Sequence, residues 1–269
     1  MYKLIHIDEN GKQKNSEIRI TDDNIEEIRN IGEFFFSVMQ SIDYFNIVND
    51  NLKELMDAIK KLSLNEPKNF SKINRYFINM SNSFYMFQCF YEKKFKNLYK
   101  PVFSYIYDKY DDYVLMYNLR NYAVHNTLVI TKLTLDIISG ESKIIIKPTE
   151  LIKDKKNLDS KCKKIINGMI SKNEEINVKF LVGSFFSIFN ELQVKLMNQF
   201  KTKIEEGLQK IKKYLIGRGM NKLDSFIIDE SGDVIYSPSS IFYSLFTKLE
   251  KEYTFDYDVQ EYLKKYYNM

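Results

Sequence analysis

Within the six residues Arg120-Asn121-Tyr122-Ala123-Val124-His125, a chain of 269 residues places one of its five arginines and one of its two histidines. A guanidinium donates to two phosphate oxygens at once through its planar fork. An imidazole, whose ordinary pKa lies near neutrality, can both take and give a proton. Cleaving an RNA phosphodiester without a metal needs the ribose 2′-hydroxyl deprotonated, the leaving 5′-oxygen protonated and the charge on the pentavalent phosphate stabilised. Arg120 and His125 are the residue types for those tasks. Asn121 lies four residues before His125, so on a helix the two share a face, where the amide can orient the imidazole or the phosphate. Arg120 is rotated roughly 100° from Asn121, with a side chain long enough to reach the same cleft. One imidazole is thin for both acid and base roles, so a second copy of the motif would complete the set. The alternative for these residues is structural: Arg120 paired with Asp111 or Asp112, and His125 capping the helix end.

The elements that must hold this run read as long helices. Tyr113 to Leu119, just before it, is helix-prone. An N-cap at Asp23 with Glu26 three residues on predicts a helix start. Apolar residues then follow at Ile28, Ile31, Phe35, Val38, Ile42, Phe45, Leu52, Leu55, Ile59 and Leu62, with Pro67 closing the segment. A second stripe runs through Phe70, Ile73, Phe77, Met80, Phe84, Phe87, Tyr91, Phe95 and Leu98. Pro101 suits the first turn of a third helix, which carries Phe103, Ile106, Tyr110, Val114 and Tyr117 into the motif. Steps of three and four residues bury one face of each helix, and short connections pack such helices as antiparallel neighbours.

β-prone segments decorate this helical core. The first twenty residues predict a hairpin around Asn10-Gly11. A second hairpin is expected at about 128–147, directly after the motif, and a third around Asp229-Glu230-Ser231-Gly232-Asp233. That last loop has acidic residues but not the spacing of a calcium loop, and reads as a turn. Further helices are expected over 149–171, from Glu174 to Leu215 and, after a break at Gly217-Arg218-Gly219, near 239–251 and 256–267. The expected architecture is mainly α: one domain over 1–269, with an N-terminal hairpin (1–20), a helical core (21–215), and a C-terminal hairpin with short helices (216–269).

Composition narrows the partners. A net charge of +4 and a pI near 8.7 are compatible with a nucleic acid without demanding one. The lysine runs at Lys153–Lys156, Lys161–Lys164 and Lys210–Lys213 read as solvated helix faces. Cys89 and Cys162 are too far apart to suggest a zinc motif or a disulfide framework. No cofactor or metal site is indicated. His6 falls in a strand and reads as a packed residue. The sequence begins without a secretory leader pattern, and its longest nearly apolar run, Phe180 to Phe189, is too short to span a bilayer. The expected location is therefore cytoplasmic, with no membrane partner.

Leu119-Arg120-Asn121-Tyr122-Ala123-Val124-His125-Asn126 resembles the Arg-polar-x-x-x-His signature of the HEPN superfamily. Chance alone puts an Arg five residues before a His in a chain of this composition roughly one time in twenty-five. The resemblance implies an all-α bundle and a metal-independent endoribonuclease of a toxin–antitoxin or anti-phage abortive-infection system. Arg120, Asn121 and His125 would be its catalytic trio. It also implies a homodimer whose two motifs form one composite site, RNA as substrate, products with 2′,3′-cyclic phosphate and 5′-hydroxyl ends, and an antitoxin or another defence subunit as a further partner. Thr127 departs from the branch paired with nucleotidyltransferase antitoxins, which carries a Tyr there. Two competing readings are a HEPN-like module that grips RNA or nucleotide without cutting, and a helical partner subunit of a defence complex.

Overall fold

Apolar side chains repeating at three and four positions become helices buried along one stripe. The computed structural model describes residues 2–7, 10–61, 69–125, 130, 132–135, 142–153, 155–212, 214 and 225–238. It is mainly helical, with a few short antiparallel strands. The order begins β1 (Tyr2–Ile7), β2 (Gln13–Ile20), α1 (Asp22–Lys60), α2 (Asn69–Lys94), α3 (Lys96–Lys109) and α4 (Asp111–His125). It continues with β3 (Lys132–Leu135), β4 (Ser142–Ile146), α5 (Pro148–Leu151), a 3-10 turn (Lys155–Asn157), α6 (Ser160–Ser171) and β5 (Ile176–Asn177). Last come α7 (Val178–Lys212), β6 (Ser225–Ile228) and β7 (Val234–Tyr236). No described helix is long and apolar enough to cross a membrane. Leu62, Pro67, the Gly217-Arg218-Gly219 break and the helices expected near 239–251 and 256–267 lie outside the described residues.

The residues group into two compact units, Met1–Ile42 with Met197–Met269, and Asp43–Leu196. In the first, the N-terminal and C-terminal hairpins join in one antiparallel sheet of order β2-β1-β6-β7. The β1–β6 pairing sets Leu4 opposite Ile227 and His6 opposite Ser225. Leu4, Ile20, Ile25, Ile28, Tyr214 and Ile227 make a small core beneath the sheet. Gly11, at φ 75, supplies the left-handed turn residue of the first hairpin. The Asp229 to Asp233 loop is a turn: the Asp229 carboxylate accepts from Ser231 N–H at 2.9 Å and Asp233 N–H at 3.0 Å. The start of α1 differs from expectation. Thr21, not Asp23, is the cap: Asn24 N–H donates to Thr21 Oγ1 at 3.3 Å, and Thr21 N–H donates to Asn24 Oδ1 at 3.2 Å. This reciprocal pair satisfies two backbone donors that an Asp23 cap would leave open.

The second unit carries the motif. Its core is aromatic: Phe84 meets Phe185 edge-on at 5.0 Å, Phe45 stacks on Phe189 at 5.0 Å, and Tyr91 lies against Phe87 at 4.8 Å. The predicted α2 stripe from Ile73 to Phe95 is buried throughout. The third helix, however, begins at Lys96, with Pro101 inside it. Pro101 and Asn97 are exposed, so the carbonyl that loses its helical donor there faces water. Two single residues break what the periodicity read as continuous helix. Phe95 and Tyr110 flank α3, and Tyr110 turns extended (φ −123, ψ 113) with its hydroxyl donating to Glu191. Asp111 and Asp112 then restart the chain as α4, in a first turn that favours negative charge.

The helix expected over 149–171 is also divided, into α5, the 3-10 turn and α6. Asp159 starts α6 as its N-cap, accepting from Cys162 N–H at 2.9 Å. The helix expected from Glu174 instead begins at Val178, because Ile176–Asn177 pairs with β4 as a third strand and Asn177 Oδ1 takes the Lys179 N–H at 3.0 Å. The sheet order β3-β4-β5 thus extends the hairpin expected after the motif.

Candidate functional site

α4 is wedged among α2, α3 and α6, with Tyr113, Val114, Leu115, Met116 and Leu119 buried. That packing fixes the helix from which the motif projects. Just beyond it the chain returns to α2: the Asn74 amide accepts from Ile130 N–H at 3.2 Å and donates to Ile130 O at 3.3 Å. This side chain imitates one rung of a strand, and anchors the segment that leaves the motif.

Arg120 is only 7% exposed. Its Nη1 donates to Gln88 Oε1 at 2.6 Å, and its Nε and Nη2 donate to Asn121 Oδ1 at 3.1 and 2.5 Å. The guanidinium carbon lies 4.7 Å from the Tyr85 ring centroid and 4.6 Å from that of Tyr117. Among the described residues no carboxylate forms an ion pair with Arg120, and neither Asp111 nor Asp112 pairs with it. Among the described residues, partners take three of the five guanidinium N–H groups and leave two. A buried cation held by neutral amides and aromatic faces keeps most of its charge uncompensated, and burying such a charge is costly unless a counter-charge arrives. The arrangement is chemically that of an anion receptor with two donors in hand.

Asn121 is half-buried; its Oδ1 is spent on Arg120, while among the described residues its Nδ2 has no partner. His125 is the last residue of α4, one helical turn beyond Asn121. The position of its side chain lies outside the described residues, as do Asn126 and Thr127. The structure therefore brings Arg120 and Asn121 into contact and sets the His125 backbone on the same helix.

Sequence reasoning missed Gln88. It is 4% exposed, receives Arg120, and donates from Nε2 to the Tyr113 hydroxyl at 3.2 Å. Tyr113 is fully buried, and burial pushes its phenol well up, so it stays neutral. The signal was a polar residue lying among Phe84, Phe87 and Tyr91 on the buried stripe, where an amide stays only if both its ends are used.

A second polar cluster sits on the same helix. Asn118 donates to Asp159 Oδ2 at 2.7 Å and takes Asp159 N–H at 2.9 Å; Tyr107 donates its hydroxyl to Oδ2 at 2.5 Å. Burial pushes the Asp159 carboxyl up, but the Cys162 N–H, Tyr107 and Asn118 donors outweigh it and hold the group below the ordinary carboxylate range. Lys161, expected on a solvated face, instead donates to the Tyr107 and Asp108 carbonyls at 2.7 and 2.9 Å, where it neutralises the end of α3. A cleft of about 470 Å³ opens here, with Gln88, Tyr99, Tyr107, Tyr117 and Asp159 on its walls.

Among the described residues no group of three His, Cys, Asp or Glu side chains is placed to hold a metal ion. His6 is half-buried in β1, in the other unit. Comparison with protein-family models, with curated proteins and with solved structures finds no match for this chain.

Proposed function

We propose that this chain is a metal-independent endoribonuclease of the HEPN type, acting in the bacterial cytoplasm as a toxin or anti-phage effector. The observation that carries the reading is Arg120: a buried guanidinium without a carboxylate partner among the described residues, with two N–H groups uncommitted. A phosphodiester supplies the missing negative charge and has acceptor oxygens for both donors.

In this reading the ribose 2′-oxygen attacks phosphorus as its proton passes to a base, and the P–O5′ bond breaks as the 5′-oxygen takes a proton. Arg120 stabilises the charge gathered on the non-bridging oxygens. Asn121, braced by Arg120, has an amide N–H pair without a partner among the described residues, and it orients the phosphate or the imidazole. His125 carries the proton transfer. One imidazole serves one of the two proton transfers well, so a homodimer presenting two motifs to one scissile bond supplies the other. An antitoxin or a second defence subunit would restrain such an enzyme.

The test incubates purified protein with labelled tRNA and mRNA in EDTA, beside His125→Ala. Cleavage by the wild type alone, leaving 2′,3′-cyclic phosphate and 5′-hydroxyl ends, is the expected result. Tight RNA binding with no cleavage by either protein would favour a non-cutting module; neither binding nor cleavage would remove RNA as the partner.

A further inference from the structure

The cleft beside Arg120 has no part in the chemistry described above. Its walls carry the rings of Tyr99, Tyr107 and Tyr117, and Phe103 backs Tyr99 at 4.2 Å between centroids. Two of its lining side chains also touch the guanidinium: Gln88 accepts from it at 2.6 Å, and Tyr117 lies under it at 4.6 Å. A group held on the two N–H donors that Arg120 has left among the described residues is therefore one side chain away from the cleft. Lys100, exposed, adds a cation to the lining. At about 470 Å³ the space lies in the range that takes a small organic ligand.

We infer that this cleft is a nucleobase subsite, which takes an unstacked base of the same RNA strand whose phosphate Arg120 holds. The inference rests on the ribonuclease reading of Arg120. Alternating aromatic faces and cations are the elements with which proteins hold single strands, rings for the bases and positive charge for the backbone. A base in a duplex is stacked on both faces and cannot enter without being extruded, so the substrate is a loop, a bulge or an end. Several wall groups that could read base edges are already occupied. Asp159 accepts from Tyr107, Asn118 and Cys162; Gln88 is spent between Arg120 and Tyr113; Lys161 is bound to the α3 carbonyls. The subsite thus selects strandedness more than base identity.

The test uses full-length His125→Ala protein and a single-stranded RNA carrying 5-iodouridine, irradiated with long-wave ultraviolet light, with the crosslinked peptides mapped by mass spectrometry. Crosslinks at Tyr99, Tyr107 or Tyr117 are expected. Tyr99→Ala should weaken binding of this RNA about ten-fold while Tyr99→Phe holds it, because the ring and not the hydroxyl does the stacking. A duplex of the same sequence should bind at least ten-fold more weakly. Crosslinks confined to other surfaces, on an RNA that binds and that the wild type cleaves in EDTA, would overturn the base subsite and leave the ribonuclease reading standing. No binding and no wild-type cleavage would overturn both. The crosslink map needs no change in the cleft, so a Tyr99→Ala chain that fails to fold does not blunt the test.

Discussion

Two charged groups lie against the same helix, and they are treated in opposite ways. Asp159 is surrounded by donors from three elements: the α6 backbone, Tyr107 of α3 and Asn118 of α4. Arg120, more deeply buried, meets among the described residues only neutral acceptors and two aromatic rings, which leave two of its donors unspent. The difference separates a charge used to build the fold from one held ready for something else. A charge ringed by its donors is part of the structure; a buried cation with no counter-ion among the described residues is a cost the fold bears, and an anionic ligand is what would offset it.

The sharpest way to break this comparison is substitution at the two charges. Arg120→Met keeps an unbranched apolar stem, two atoms shorter, and removes the guanidinium and its charge. It should reduce RNA cleavage by about 10²–10³-fold, the usual loss when a transition-state donor is removed, while thermal stability changes little: relief of an uncompensated buried charge offsets the roughly 1–3 kcal/mol cost of leaving the Gln88 acceptor without its donor. Asp159→Ala should do the reverse. Loss of the cap and of its Tyr107 and Asn118 bonds should cost about 2–3 kcal/mol in denaturant unfolding, with cleavage per folded molecule reduced far less than in Arg120→Met.

Acid sharpens the same contrast. A carboxyl held below its ordinary value contributes stability above its unfolded pKa of about 3.9, and that stability drains away as pH falls through the lower folded value. The melting difference between wild type and Asp159→Asn should therefore be full near neutrality and shrink below about pH 4. A difference that stayed constant down the acid limb would mean that the Asp159 charge is not what its donors hold. The smallest effect concerns Tyr85. It is half-exposed over the guanidinium, and an exposed cation–π contact contributes about 0.5–1 kcal/mol. Tyr85→Leu should then lower cleavage only several-fold, and Tyr85→Phe hardly at all.

Much of this was legible in the sequence. The apolar steps marked α1, α2 and α7, and the stripe residues from Ile73 to Phe95 are buried as spaced. The run Arg120-Asn121 stood out by residue type and indeed meets side chain to side chain. What stayed hidden depends on partners distant in sequence. The breaks at Phe95 and Tyr110 carry no Gly or Pro; Phe95 is set by its burial and Tyr110 is held by Glu191, 81 residues on. The N-cap role of Asp159 is fixed by Asn118, 41 residues away. The union of the terminal hairpins rests on β1 pairing with β6, which no local pattern specifies. Gln88 was missed for the same reason: an amide on a buried stripe has meaning only once Arg120 is known to face it.

One measurement reaches the central claim directly. Wild type and Arg120→Met are compared for RNA cleavage in EDTA and for melting temperature in the same buffer. Cleavage by the wild type that is lost in Arg120→Met, at a similar melting temperature, is what an anion-holding arginine predicts. Equal cleavage by both proteins, or a melting temperature that collapses in the variant, would make Arg120 a structural residue and contradict the account.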